Sequence, residues 1–398
     1  MLIILSIFYV LYTVGATKIL TFFSQDISVL FSLTLHNIIT SLLLGSIGAT
    51  TGRLLTHYFL KKFTYKSVIS IGFFFASIFF ILEFNFYITK HLYLYYFVRL
   101  LQGLCSGIIN IALYSYNGIL NINNKKKYIN ITMLLTMGLG IFTPIFSGLY
   151  IFFSFKSLVI VVTLIPIFGA IISYFTINNV YLQQNNTNEK SLKFLYKNLF
   201  YNHIYIIFFA ITFSFFILPV LIILTSLRTI TEICGSSSLI YYFLLNYFNK
   251  KYVIKIINAL PLIIGSFSFF IPKKKSFFYL FIFVSYVLLL FIYKYLYFKY
   301  IFDILLITFI FIYSIHIIYI PMIMNNLFVN LYNKEFYGSV IHVIRSIFSI
   351  ILNYLFLQNI IYNNISSIIN IIAINLIIGF LLYIISVLIF RYQRKNII

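Results

Sequence analysis

Apolar runs of about twenty residues follow one another from Leu2 to Phe390, broken only by short polar stretches. That is the length a helix needs to cross a hydrocarbon layer of about 30 Å. Inside a bilayer the backbone must satisfy its own hydrogen bonds, so such runs can only be helices. Spans are predicted at 2–23, 29–50, 66–87, 92–118, 131–152 and 157–177, then at 203–226, 252–271, 276–297, 302–327, 338–357 and 366–390. The opening run is longer than a signal-peptide core and reads as a retained first helix. Only 9% of residues are charged, against roughly 25% in a soluble domain. The expected fold class is an all-α polytopic membrane protein with twelve spans in two six-helix bundles.

The polar stretch Gln183-Gln184-Asn185-Asn186-Thr187-Asn188-Glu189-Lys190 divides the chain almost in half. The expected organisation is an N-terminal bundle at 1–180, a cytoplasmic linker at 181–202 and a C-terminal bundle at 203–398. One segment, 229–249, reads either as a thirteenth span or as an interfacial piece. Charge arbitrates, because cytoplasmic loops collect Lys and Arg. With twelve spans and both termini inside, seventeen basic residues fall on the inner side, among them Arg53, Lys61, Lys62, Lys274 and Arg391, and eight fall on the outer side, among them Lys255. A thirteenth span would reverse Lys273-Lys274-Lys275 and the Arg391 tail. The net charge of +22 is thus explained by orientation, and with no soluble basic face no nucleic-acid partner is expected.

Within the fourth run stands an arginine. At 100° per residue, Arg99, Gln102, Gly103, Ser106, Asn110, Tyr114 and Asn117 share one face of an otherwise apolar helix. A charge at membrane depth costs about 2.5–3.5 kcal/mol even on lenient scales, so this face should look inward. Gly103 and Gly107 permit close helix approach. In the fifth span Thr132, Thr136, Gly140, Thr143 and Ser147 share a face, with Pro144 able to kink it. In the eleventh, Gly338, His342, Arg345, Ser346, Ser349 and Asn353 do so. Arg99, Gln102, Ser106, Asn110, His342 and Arg345 are the substrate-cavity candidates. Gly52, Lys61, Lys62, Gly103, Gly107, Pro144 and Gly148 are the gating and packing candidates. Glu83 and Asp303 fall at span ends and read as interfacial charges, so Arg99 and Arg345 would leave the cavity net positive.

Arg99-Leu-Leu-Gln102-Gly103, followed by Gly107, resembles the fourth-helix signature of the major facilitator superfamily. The segment Gly52-Arg53-Leu54-Leu55-Thr56 through Lys61-Lys62 stands where that family has its Gly-rich basic loop, with Thr56 in place of the family's Asp and Phe59 in place of its inner Gly. Thr143-Pro144-Ile145-Phe146-Ser147-Gly148 is similar to a worn form of the family's fifth-helix antiporter motif. The resemblance implies alternating access around a central cavity lined by spans 1, 4, 7 and 10, with a small-molecule substrate and a coupling proton as partners.

The leading expectation is a secondary transporter of a small organic solute, in particular an organic anion, acting as a monomer without cofactor or metal in a plasma or bacterial inner membrane. No Gly-rich phosphate loop with Lys-Ser/Thr is present, which argues against ATP drive. Drug or metabolite efflux by proton antiport is the alternative transport reading. From other classes, a lipid-linked transferase or a transport-dead sensor stays open. A transferase would need clustered carboxylates, and the six acids Asp26, Glu83, Glu189, Glu232, Asp303 and Glu335 are scattered.

Overall fold

The computed structural model describes residues 2–120, 142, 145–181, 204–234, 238–272, 274–295, 300–328, 343–345, 347–348, 350–352 and 365–395, and among these there is helix but no strand. The first group is α1 (Leu2–Phe22), α2 (Ser24–Phe31), α3 (Leu35–Lys62), α4 (Tyr65–Glu83), α5 (Phe86–Lys90), α6 (Leu92–Leu120) and α7 (Phe155–Thr176). The second is α8 (Ile204–Cys234), α9 (Leu239–Leu245), α10 (Lys250–Ser266), α11 (Lys275–Lys294), α12 (Ile301–Phe328) and α13 (Ile365–Lys395). Further helical residues lie at 145–152 and at Val343–Leu352.

Three of the long helices start at side-chain caps rather than at a change in hydropathy. The Thr34 side chain accepts from Asn37 N and opens α3, Thr64 accepts from Ser67 N and opens α4, and Ser154 accepts from Ser157 N and opens α7. Each cap satisfies a backbone donor that would otherwise lack an intrahelical partner. The second span is accordingly displaced from its expected 29–50. The chain first makes the short α2, turns at Ser32 with φ 54°, and only then starts the 28-residue α3. Likewise the expected 66–87 splits at Asn85, whose side chain caps the separate helix α5. A hydropathy run passes through such breaks unseen, because their residues are themselves apolar or small.

In the first group α3 lies along α6, α4 lies against both α6 and α7, and α1 lies against α7. The Ser70 and Ser173 hydroxyls meet at 2.8 Å between α4 and α7. In the second group α8 packs on α13 and α12, and α12 also packs on α10 and α11. The two groups touch where α1 meets α8. Among the described residues, Tyr65–Glu83, Leu92–Leu120, Phe155–Thr176, Lys275–Lys294, Ile301–Tyr319 and Ser366–Gln393 are long and apolar enough to cross a membrane.

The ambiguous segment 229–249 is not a thirteenth span. Its first part continues α8, and its helix α9 has seven residues, a rise of about 10 Å where about 30 Å is needed. Asp303 fixes α9 in place: its carboxylate accepts from Ser238 Oγ at 2.6 Å, Leu239 N at 2.8 Å and Ile240 N at 3.4 Å. Asp303 is therefore more than the interfacial charge expected from its position. It stands in for the intrahelical partners that the first turn of α9 lacks. Asp303→Ala is expected to lower stability by about 1–2 kcal/mol while Asp303→Asn retains most of it, as read by thermal unfolding in detergent.

Candidate functional site

Arg99 lies about two turns into α6, where α4 and α6 run side by side. Its guanidinium donates to Glu83 Oε2 at 3.2 Å and also to Gln102 Oε1. Arg99 is 7% exposed and Glu83 0%, so the pair is buried among helices rather than interfacial. Room for the guanidinium comes from Gly45 on α3, where a Cβ would stand 2.8 Å from Arg99 Nε. The expectation of an uncompensated Arg99, with no acid at comparable depth, is thereby overturned. Glu83 is the last residue of α4, and the turn through α5 returns the chain so that it meets Arg99 sixteen positions on. That return is a matter of loop geometry, which residue periodicity does not encode.

The remaining sequence candidates sort by neighbour. Ser106 Oγ lies 3.4 Å from the Tyr9 hydroxyl of α1. Gln102 Nε2 and Asn110 Oδ1 are buried without a hydrogen-bond partner among the described residues. Arg345, in the second group, has its guanidinium carbon 4.9 Å from the Phe213 ring centre, and its carbonyl accepts from Ser214 Oγ at 2.9 Å. Lys61 and Lys62 are exposed at the end of α3, with the Lys62 ammonium 4.6 Å from the Tyr58 ring centre. His342, Pro144, the threonine face of the fifth span and most of the expected linker lie outside the described residues.

Four glycines form a seam between α3 and α6. A Cβ at Gly48 or Gly52 would collide with the carbonyls of Leu100 and Leu104, and one at Gly103 or Gly107 with those of Gly45 and Ala49. The backbones approach closely enough that hydrogen alone fits between them. Gly148 is different: nothing described lies within 4 Å of where its Cβ would stand.

Sequence patterning missed a third contact. Lys255 on α10 donates to the carbonyls of Tyr150 at 3.0 Å and Phe153 at 3.3 Å, at the C-terminal end of the helical residues 145–152. Its ammonium also lies 5.0 Å from the Tyr150 ring centre and 5.7 Å from that of Phe23. A cation at a helix C-terminus is favoured by the helix dipole. Counted from sequence as a loop charge, Lys255 ties the second group to the first at the end where Phe23, Phe31, Phe84, Tyr150 and Phe155 gather.

No family model matches the sequence, and no curated protein matches it. Among solved structures, the crystal structure of a D-xylose-proton symporter superposes with a TM-score of 0.71, at 9% identity, over 96% of this chain and 96% of that one. The chain has the major facilitator fold. In this fold α1 and α8 are the first helices of the two halves, and their contact lies where the halves meet. The major facilitator fold and the apolar helices together make the chain a multi-pass membrane protein. At 9% identity the likeness is one of fold, and it leaves the chemistry of the site to the residues themselves.

Proposed function

We propose that the chain is a secondary transporter that moves a small organic anion by alternating access between its two helical groups. The observation that carries this reading is Arg345. It lies against Phe213 of α8, the helix of the second group that touches α1 of the first, and no carboxylate pairs with it among the described residues. The fold, shared with a protein described as a D-xylose-proton symporter, supports transport. The acids whose side chains are described are already engaged, Glu83 with Arg99 and Asp303 with the start of α9. That arrangement favours transport over acid–base catalysis. Of these two, Glu83 is the fully buried one and is the group on which a coupling proton would act.

The positive-inside rule supports both termini on the cytoplasmic side, and hence the Lys255 contact at the outer end. Membrane-impermeant labelling of a Lys274→Cys variant should require permeabilised cells; labelling of intact cells would reverse the topology. Alternation itself is tested by spin labels placed across the Lys255 end and across the opposite end. Two distance populations that change reciprocally are expected, and a single fixed distance at both ends would refute transport in favour of a static scaffold. Lys255→Met should shift the Lys255 end towards its open population by about tenfold, since hydrogen bonds to a charged group are worth about 1.5–3 kcal/mol.

A further inference from the structure

The α4 helix ends at Glu83 with Phe84 as its cap, two neighbours that meet different partners. Glu83 is fully buried and takes the Arg99 guanidinium at 3.2 Å. Phe84 packs edge-on against Phe155, the first residue of α7, with ring centres 5.4 Å apart. Phe155 in turn lies 5.7 Å from Phe23, and Phe23 lies 4.9 Å from Tyr150. The Lys255 ammonium sits 5.7 Å from Phe23 and 5.0 Å from Tyr150 while it donates to the Tyr150 and Phe153 carbonyls. A buried ion pair of the first group is thus joined, ring by ring, to the contact that holds the second group against it.

Close-packed interiors transmit displacement because they hold little slack, and aromatic pairs prefer definite geometries. Phe84 also packs against Phe80, one turn earlier, at 5.2 Å, so its ring and the Glu83 carboxylate move together with the end of α4. With Glu83 ionised, the pair with Arg99 pins that end. A proton on Glu83 leaves Arg99 as an uncompensated buried charge, which the guanidinium cannot relieve by deprotonating. The end of α4 then has to shift, and Phe84 shifts with it. The other titratable side chains near the pair are Tyr12, which donates to Ala76 O at 3.4 Å, and Tyr95, which donates to Ser41 Oγ at 3.1 Å. Lys90, His91 and Lys156, at the same end, are exposed. We propose that the Glu83–Arg99 pair controls the Lys255 contact through Phe84, Phe155 and Phe23, so that a proton on Glu83 opens the Lys255 end. The proposal rests on the transport reading for what that opening serves.

The test uses the purified full chain in detergent, with spin labels across the Lys255 end and across the opposite end, measured over a range of pH. Acidification should raise the open population at the Lys255 end of wild type by up to about tenfold, the shift expected for losing the Lys255 hydrogen bonds themselves. The double variant Glu83→Gln with Arg99→Gln removes the pair without stranding a charge, and its Lys255 end should ignore pH. Phe84→Leu keeps an apolar side chain and loses the ring, so it should cut the response to less than about twofold. Phe31→Leu is the control: Phe31 also touches Phe155, at 6.2 Å, but lies off the line to Glu83, and its response should match wild type. A full response in Phe84→Leu, or an equal loss in Phe31→Leu, overturns the aromatic route. A full response in the double variant overturns Glu83 as its origin. Reciprocal exchange at the two ends that ignores Phe84 keeps transport and overturns the route. A response at the Lys255 end with a static opposite end keeps the route and overturns alternating access.

Discussion

Glu83→Gln is expected to lower stability by about 3–5 kcal/mol, because it strands Arg99 as a buried charge. Arg99→Gln should cost less. A lone Glu83 can take up a proton and become neutral, whereas a lone guanidinium keeps its charge at any accessible pH. Gln102, which also accepts from Arg99, limits the first loss without cancelling it. The double variant Glu83→Gln with Arg99→Gln should recover much of the stability, since two neutral amides replace a charge pair. Thermal unfolding of the four proteins in detergent reads this directly. Equal melting of Glu83→Gln and wild type would mean that the ion pair is not closed in the membrane protein.

The second large effect is expected at the α3–α6 seam, where Gly107→Ala must push apart two backbones. Overpacking of a core typically costs about 1–3 kcal/mol, and here the obstructing atoms are carbonyls that no rotamer change can move. Gly103→Ala should behave alike. Gly148→Ala is the matched control. With nothing described within 4 Å, the substitution should gain about 0.5–1 kcal/mol from helix propensity alone. A series in which all three alanines cost the same would show that the seam is looser than its glycines imply.

The difference between these glycines marks what a sequence can reveal. Gly103 and Gly107 lie four apart on the polar face of one helix, and that spacing alone points to helix contact. Gly148 belongs to a similar-looking motif, yet its neighbours decide its role, and they come from elsewhere in the chain. The same division runs through the charges. Arg99 is conspicuous inside an apolar run, so its inward orientation is legible from the cost of facing lipid. Its partner Glu83 is not, because the pairing depends on a turn capped by Asn85. Lys255 sits close to Lys250 and Lys251, where a count of loop charges absorbs it. Only the assembled helices separate the charge that faces water from the one that spans two groups. The architecture was the legible part, since twenty-residue apolar runs leave a chain few alternatives in a bilayer.

The pairing of Arg99 also relocates the positive field. With Glu83 buried against it, Arg99 contributes structure to the first group, and on the proposed reading the charge offered to a solute is that of Arg345. The account therefore predicts selectivity from Arg345 rather than from the fourth-helix arginine.

Competition for uptake in proteoliposomes tests that claim most directly. Vesicles carrying the purified chain are preloaded with a mixture of organic anions and assayed for exchange with labelled external anion, with unlabelled organic anions or lipophilic cations added as competitors. The account predicts that organic anions compete, that lipophilic cations do not, and that Arg345→Gln abolishes exchange. Competition by lipophilic cations alone, with exchange unchanged in Arg345→Gln, would contradict it.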